Sequence, residues 1–195
     1  MHKRVTRSAS GRLSLMQEQL WFSHAIEALF VRGLGARLTP EVKQRIAKHG
    51  VVLERMPPAY PIRQVVDACR AILPLLYPRL SEDEGFRQLG VSFMQGYAET
   101  LVGRAMVQMM KLIGPRRTLE RMQKNFRTGG NYLETRFKVL APNSVELWIS
   151  DCTEMPGFYV GMIEEGGRMI GVKNLNISMT PDAGPAWTMV VSWAS

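Results

Sequence analysis

The sequence predicts an α+β fold in which helices come first and an antiparallel sheet follows. Up to about residue 130, apolar residues recur at intervals of three and four, a spacing typical of amphipathic helices. Beyond that point they alternate with polar residues in four short runs, with one helical stretch between the second run and the third. The C-terminal part therefore predicts a β-β-α-β-β unit.

Composition places the chain among ordinary globular proteins. It has 195 residues, of which 46% are hydrophobic and 22% charged, and these values exclude disordered, collagen-like and coiled-coil proteins. Two isolated cysteines make no disulfide framework, and no apolar run is long enough to span a bilayer. The start lacks the apolar core of a signal peptide. We predict a single domain over residues 16–195 and a cytoplasmic protein.

Positive charge is concentrated in two places. The formal net charge is +8, and residues 1–12 hold four basic residues and no acidic one. Residues 111–138 hold eight basic residues against two acidic ones. Residues 1–15 contain too few apolar groups to offset the entropy of ordering, so we predict a disordered tail. Such a tail serves either as a solubilising terminus or as an arm for nucleic acid or acidic lipid.

Caps and breaks mark the N-terminal helices. Ser23 predicts the capped start of a helix over residues 22–31, which the glycines after it end. Thr39 followed by Pro40 opens a second helix that ends by Gly50. Residues 56–61 contain three prolines and predict an extended connector, because a residue before proline avoids the helical region.

Two longer helices follow this connector. Pro61 begins the first, and Ser81, followed by three acidic residues, is the clearest helix start in the sequence. The helix after Ser81 is predicted to run to Ile113, before the break at Gly114. Apolar residues cover most of the circumference of its second half, so we expect it in the middle of the core. Its glycines predict close approach of a neighbouring element: Gly90, Gly96 and Gly103.

The remaining elements form the predicted sheet and its helix. Residues 125–131 are rich in turn formers and predict a turn. Residues 133–139 and 145–149 alternate around Pro142-Asn143 and predict a hairpin. Pro156 begins a helix that ends near Ile170, and two further strands follow.

Six short motifs carry a resemblance to one family. They are Leu38-Thr39-Pro40, Ala59-Tyr60-Pro61, Gly96-Tyr97, Gly103-Arg104-Ala105, Gly114-Pro115-Arg116-Arg117 and the segment from Asn125 to Tyr132. Together they resemble a large paralogous family, abundant in myxobacteria, that carries only a domain-of-unknown-function label. The resemblance extends from about Phe22 to Trp193 and implies no particular activity.

The order of elements is also similar to a fold shared by three groups of proteins. These are the 4-vinyl reductase sensor domains, the haem nitric-oxide-binding domain and the Bet3-type subunits of vesicle-tethering complexes. The resemblance implies a small-ligand sensor or an acyl-binding interaction subunit, commonly dimeric. The chain departs from these relatives because only Cys152 stands near its C-terminal strands, and neither His24 nor His49 maps onto a proximal haem ligand. We predict no cofactor.

The basic segment is the first candidate binding site. Guanidinium groups can bind phosphate or carboxylate in a bidentate manner, and glycines let backbone N–H groups face an anion. The candidate residues are Arg116, Arg117, Arg127, Thr128, Asn131 and Tyr132. The alternative is a structural helix-to-strand turn in which Arg127 pairs with Glu134 or with carbonyl groups at the C-terminal end of the helix.

A second candidate site lies on the long apolar helix. Arg104 stands there among apolar residues, so it must either be paired or line a polar cavity. Five residues are predicted to line an apolar pocket, since methionines adapt to varied ligands: Phe93, Tyr97, Met106, Met109 and Met110. The alternative is that they belong to an ordinary core.

These observations leave three hypotheses, none of them catalytic, because no histidine, cysteine or carboxylate spacing indicates a triad, a metal cluster or an acid–base pair. The leading one is a non-enzymatic regulatory or interaction module with a pocket for a small acyl or anionic ligand. The second is a homodimeric adaptor without a ligand. The third is nucleic-acid binding through the tail and residues 111–138, which would weaken with salt.

Overall fold

In the computed structural model, helices precede a four-stranded antiparallel sheet, which confirms the predicted α+β class. The structure describes residues 18–194, and the tail predicted over residues 1–15 lies outside them. The helices are α1 (Ser23–Ile26), a π-helix (Glu27–Gly33), a 3-10 turn (Gly35–Arg37), α2 (Pro40–Ala47), α3 (Ile62–Leu76), α4 (Glu82–Ala98), α5 (Leu101–Glu120), α6 (Met122–Gly129) and α7 (Pro156–Met169). The strands are β1 (Leu20–Phe22), β2 (Ala59–Pro61), β3 (Thr135–Ala141), β4 (Ser144–Ile149), β5 (Asn176–Pro181) and β6 (Trp187–Ser192).

The C-terminal sheet has the strand order β3-β4-β6-β5, and its β3–β4 hairpin is the one predicted from the sequence. In the register of β4 and β6, Val145 lies opposite Val191 and Leu147 lies opposite Met189. All four side chains are fully buried, so the alternation along these strands directs one face of the sheet into the core. The predicted helix from Pro156 is α7. In the chain it lies between the β3–β4 pair of strands and the β5–β6 pair.

Helix α4 is the central element, and it approaches α7 backbone to backbone. A Cβ atom on Gly90 would overlap the carbonyl group of Phe158, and one on Gly161 would overlap that of Arg87. The predicted close approach of a neighbouring element is confirmed at Gly90 and also at Gly96, where a Cβ atom would overlap the carbonyl oxygen of Ala28. It is wrong at Gly103, which lies on α5 and meets only the end of the preceding helix. Outside this seam, Arg87 forms a salt bridge with Glu164 that joins the same two helices.

The long helix predicted from Ser81 to Ile113 is wrong in its second half. Ser81 does begin α4 with a capping box, but α4 ends at Ala98. The Oγ1 atom of Thr100 accepts a hydrogen bond from the backbone N–H of Gly103 at 2.9 Å and caps a new helix, α5. Because the chain changes direction there, α5 lies at the surface, and Leu112 on it is 88% exposed. The kink predicted after Ile113 is present at Gly114, whose φ is 75°.

Two local predictions are also corrected. Ser23 is the first residue of α1 and does not cap it. The N-cap position is held by Phe22, which is also the last residue of strand β1. Strand β1 pairs with β2, the extended connector after residue 56. The turn predicted over residues 125–131 is helical as far as Gly129, where α6 ends. Met122 and Phe126 lie four residues apart on the buried face of α6, and this contact with the core favours the helix over a turn.

None of the helices in the described part of the chain is both long enough and apolar enough to cross a membrane.

The α4–α7 seam yields a prediction from two glycines of the same helix. We expect Gly161→Ala to destabilise the protein by about 1–3 kcal/mol, since its methyl group overlaps backbone that cannot move aside. A Cβ on Gly166 would lie 3.5 Å from the Cε of Met110, an ordinary contact. Gly166→Ala is therefore the matched control, and it should stabilise by up to about 1 kcal/mol through helix propensity. Urea unfolding measures both, and equal effects would contradict the packing argument.

Candidate functional site: an apolar cavity

A cavity of about 100 Å³ lies between helices α4 to α7 and the inner face of the sheet. Its walls are almost entirely apolar. Side chains from all these elements contribute to the walls, among them Phe93, Tyr97, Met106, Met110, Met122, Phe126, Tyr159, Ile163 and Val191. The cavity thus forms where the helical half of the chain meets the β-β-α-β-β unit.

One side of the cavity is made of mutually packed aromatic rings. Trp21 stacks on Phe93 with ring centroids 5.9 Å apart, and Phe158 packs against both rings. Phe93 stacks in turn on Tyr97 at 5.8 Å. Because each of these aromatic residues is at least nine-tenths buried, this wall is fixed by its neighbours.

Another part of the lining is made of methionines. They are Met106 and Met110 from α5, Met94 from α4 and Met162 from α7. An unbranched thioether side chain can change rotamer at little cost and fit ligands of different shapes. Gly166 also belongs to the lining, and a Cβ atom there would be in ordinary contact with the methyl groups of Met110 and Met94. The cavity therefore has one rigid wall and one adaptable wall.

Polar groups at the cavity are few, and their hydrogen atoms are mostly engaged within the protein. Thr118 donates its hydroxyl hydrogen to the carbonyl of Gly114 at 2.8 Å, and Thr128 donates to that of Asn125 at 2.7 Å. The hydroxyl of Tyr159 is 3.1 Å from that of Tyr132. A ligand in the cavity would thus make mainly apolar contacts.

The tyrosine pair is uncharged at neutral pH. Burial raises the pKa of Tyr132 to about 12, and burial raises the pKa of Tyr159 well above its usual value. Burial also raises the pKa of both thiols, Cys69 and Cys152, so neither carries the thiolate that a nucleophile needs. Cys152 is therefore a small buried thiol.

The predicted site residues divide into two groups. Phe93, Tyr97, Met106, Met110 and Thr128 line the cavity, and Tyr132 reaches it through its hydrogen bond to Tyr159. Met109, which was also predicted for the pocket, is not among the lining residues. Asn131 has a structural task instead. Its side chain accepts a hydrogen bond from the backbone of Leu20 at 2.8 Å and donates one to that of Glu18 at 3.0 Å, so it holds β1 against the end of α6.

The predicted arginines all lie outside the cavity, on the protein surface. Arg104 is exposed, so the expectation of a buried ion pair or polar cavity around it is wrong, because the helix that carries it lies at the surface. Arg116, Arg117 and Arg127 are exposed as well. No ion pair among residues 18–194 involves any of the four arginines, and the alternative pair of Arg127 with Glu134 is not formed.

Sequence reasoning missed several cavity residues. Met122 and Phe126 carry a signal that could have found them, since they are four residues apart in an otherwise polar segment. Trp21 and Gly166 carry none, because their positions in the cavity wall depend on the β1–β2 pairing and on the α4–α7 seam.

No group of three or more His, Cys, Asp or Glu residues in the described chain could hold a metal ion.

The fold is similar to solved structures of H-NOX domains. An H-NOX protein from S. oneidensis superimposes with a TM-score of 0.71 and 9% identity, covering 89% of this chain and 96% of that one. An unliganded Fe(II) H-NOX protein from K. algicida has a TM-score of 0.68 and 10% identity, covering 89% and 97%. An oxygen-binding H-NOX domain related to soluble guanylate cyclases has a TM-score of 0.62 and 11% identity, covering 89% and 95%. At these identities the likeness shows the fold, and it confirms the predicted similarity to the haem nitric-oxide-binding fold.

Another similar structure concerns the redox potential of haem and its change when the protein distorts the porphyrin. In this chain, no histidine or cysteine is among the described residues that line the cavity. His24 is exposed on α1, and His49 follows α2. The residues present therefore do not fit a histidine-ligated haem.

No curated protein matches the sequence significantly. The abundance in myxobacteria that the motifs implied stays a prediction. A family model described as "Protein of unknown function (DUF2378)" matches residues 19–194, which is all of the described chain except one residue. The chain therefore belongs to the DUF2378 family, as the resemblance to a family of unknown function predicted.

Proposed function

We propose that this protein is a non-enzymatic regulatory module that binds a small apolar ligand in the cavity between α4 to α7 and the sheet. The cavity itself carries the proposal. Protein interiors are close-packed, and an unfilled apolar space lowers the stability of the folded chain. A ligand that fills the space would recover the missing van der Waals contacts, so binding would also stabilise the protein.

The walls favour an uncharged hydrocarbon group as the bound part of the ligand. No charged side chain is among the described residues that line the cavity, so nothing in it compensates an ionised group for the loss of water. Of the two ligand types in the leading hypothesis, acyl and anionic, this supports the acyl one. An anionic group, if the ligand has one, would have to remain at the surface, where Arg104, Arg116, Arg117 and Arg127 lie.

The regulatory part of the proposal rests on the fold. One H-NOX relative binds oxygen, and another was studied for the mechanism of H-NOX activation. The present chain would use the same fold with a different, haem-free cavity. The buried thiols and the neutral tyrosines support binding without catalysis, since a nucleophile or a base at neutral pH requires the opposite shifts of pKa.

Filling the cavity tests the proposal. Benzene and 1-decanol are suitable probes, and both should raise the melting temperature of the wild type. Gly166→Leu places a branched side chain in the cavity lining, against the methyl groups of Met110 and Met94, so we expect it to abolish this rise. Gly166→Ala, the matched control, should keep it.

Native mass spectrometry of the freshly purified protein complements the thermal measurement. A non-covalent mass that is present in the wild type and absent in Gly166→Leu is the expected result. The proposal fails if neither probe shifts the melting temperature and the native mass equals the denatured mass.

The tyrosine pair beside the cavity predicts a pH dependence of stability. The pKa of Tyr132 is about 12 in the folded chain and about 10 in an unfolded one, so between these values the folded state holds more protons. Stability should therefore fall as the pH rises from 10 towards 12. Tyr132→Phe removes this proton, and the free energy of unfolding should fall less steeply over that window. Urea unfolding across the window measures both slopes, and identical slopes would show that Tyr132 ionises normally.

A further inference from the structure

The outer face of helix α5 is an exposed apolar stripe. Leu101 is 79% exposed and Leu112 is 88% exposed, and the spacing of eleven residues puts both on the same side of the helix. Ala105 and Gln108 lie between them on that side and are also exposed, so one polar side chain interrupts the stripe. Val102, 63% exposed, borders the stripe. No other described hydrophobic side chain larger than alanine is as exposed as these three, since the next in order, Leu140, is 45% exposed.

Unpaired cations border this stripe. Arg104 and Lys111 are seven residues apart, follow one edge of the stripe and are both exposed. The cations of the next turns continue the charge: Arg116, Arg117, Arg121, Lys124 and Arg127. All eight ion pairs of the described chain lie outside residues 101–127. The one acidic residue in that segment is Glu120.

We propose that the outer face of α5 docks on an anionic lipid surface. Leu101 and Leu112 would enter the boundary between head groups and acyl chains, while Arg104 and Lys111 would contact the phosphates. Helices that bind in this way combine an apolar stripe with flanking basic residues, and both features are present here without any acidic residue over residues 101–113.

The charges argue against the other occupants of this face. A second copy of the chain would bring Arg104 and Lys111 close to the same cations, with no acidic residue on α5 before Glu120 to balance them. A nucleic acid would satisfy the cations, but contact with phosphates would leave Leu101 and Leu112 in water. A lipid surface accommodates both the cations and the leucines.

Helix α5 also separates this face from the cavity. Met106 and Met110 lie on its opposite side and line the cavity walls. If the proposed function holds, the ligand is apolar and partitions into bilayers, so a docked α5 would stand between the source of the ligand and its binding site. That role as a ligand source rests on the proposed function, whereas the docking itself rests on the exposed face alone.

Vesicle flotation with the full chain tests the docking. The wild type should float with vesicles of equal parts phosphatidylcholine and phosphatidylglycerol, and only weakly with phosphatidylcholine alone. The double variant Leu101→Ser/Leu112→Ser should bind at least about tenfold more weakly, because two exposed leucines no longer enter the bilayer. The control Val52→Ser/Leu80→Ser removes exposed apolar residues from elsewhere and should bind as the wild type does. Both doubles keep residues 1–17, so binding through that segment cannot produce the difference.

Two further double variants test the role of the cations beside the stripe. Arg104→Ala/Lys111→Ala should lose about fivefold in affinity for each charge at low salt. Arg55→Ala/Arg79→Ala removes two exposed arginines outside the α5–α6 segment and should lose much less. Equal losses in both pairs would show that vesicle binding follows net charge and would overturn the docking proposal.

Three other results would also overturn it. The leucine double variant could bind vesicles as well as the wild type does. The wild type could bind a DNA duplex while ignoring the vesicles, which would assign the face to nucleic acid. It could form a dimer that Leu101→Ser/Leu112→Ser abolishes, which would assign the face to a second copy. Gly166→Leu should still bind vesicles, so failure of the cavity proposal is distinguishable from failure of the docking.

Discussion

The backbone contact between α4 and α7 is the constraint on which the rest of the structure depends. Gly90 and Gly161 each leave room for a carbonyl group of the other helix, so the two helices lie closer than side chains would allow. Because α4 belongs to the helical half of the chain and α7 to the β-β-α-β-β unit, this seam fixes one half against the other. The cavity forms beside the seam, where the side chains of the two helices diverge.

The ion pairs divide the molecule differently from the seam. Arg70 bridges Glu82 and Glu154, and Arg87 bridges Glu164, so ion pairs gather around α3, α4 and α7. Helices α5 and α6 have no ion pair among the described residues and contact the core through methionine and aromatic side chains. The ionic half carries the rigid aromatic wall of the cavity, and the unpaired half carries much of the adaptable methionine wall. A ligand would therefore be held by a fixed surface and covered by an adjustable one.

Most of the fold could be predicted because its signals are local. The capping box at Ser81, the Pro142-Asn143 turn and the Pro156 helix start each need only neighbouring residues. The end of α4 could not be predicted in this way, because Thr100 interrupts an apolar pattern that continues on both sides. The pattern shows which residues are apolar, but the direction of the chain after Thr100 decides which of them are buried.

The same distinction governs the candidate site. Phe93, Tyr97 and Met106 were expected to line a pocket and do so, since the side chains that follow a helical period toward the core are also those available to a cavity.

Arg104 was expected to be buried because its neighbours are apolar, yet those neighbours divide between two faces of α5. Met106 and Met110 face the cavity, while Leu101 and Leu112 face outward. A helix that is apolar all round normally lies inside a protein or a membrane. Here the protein covers one face only, and Leu101 and Leu112 on the other face remain exposed. The unpaired cations beside that face complement an anionic surface, which is why the proposed docking is on an anionic lipid surface.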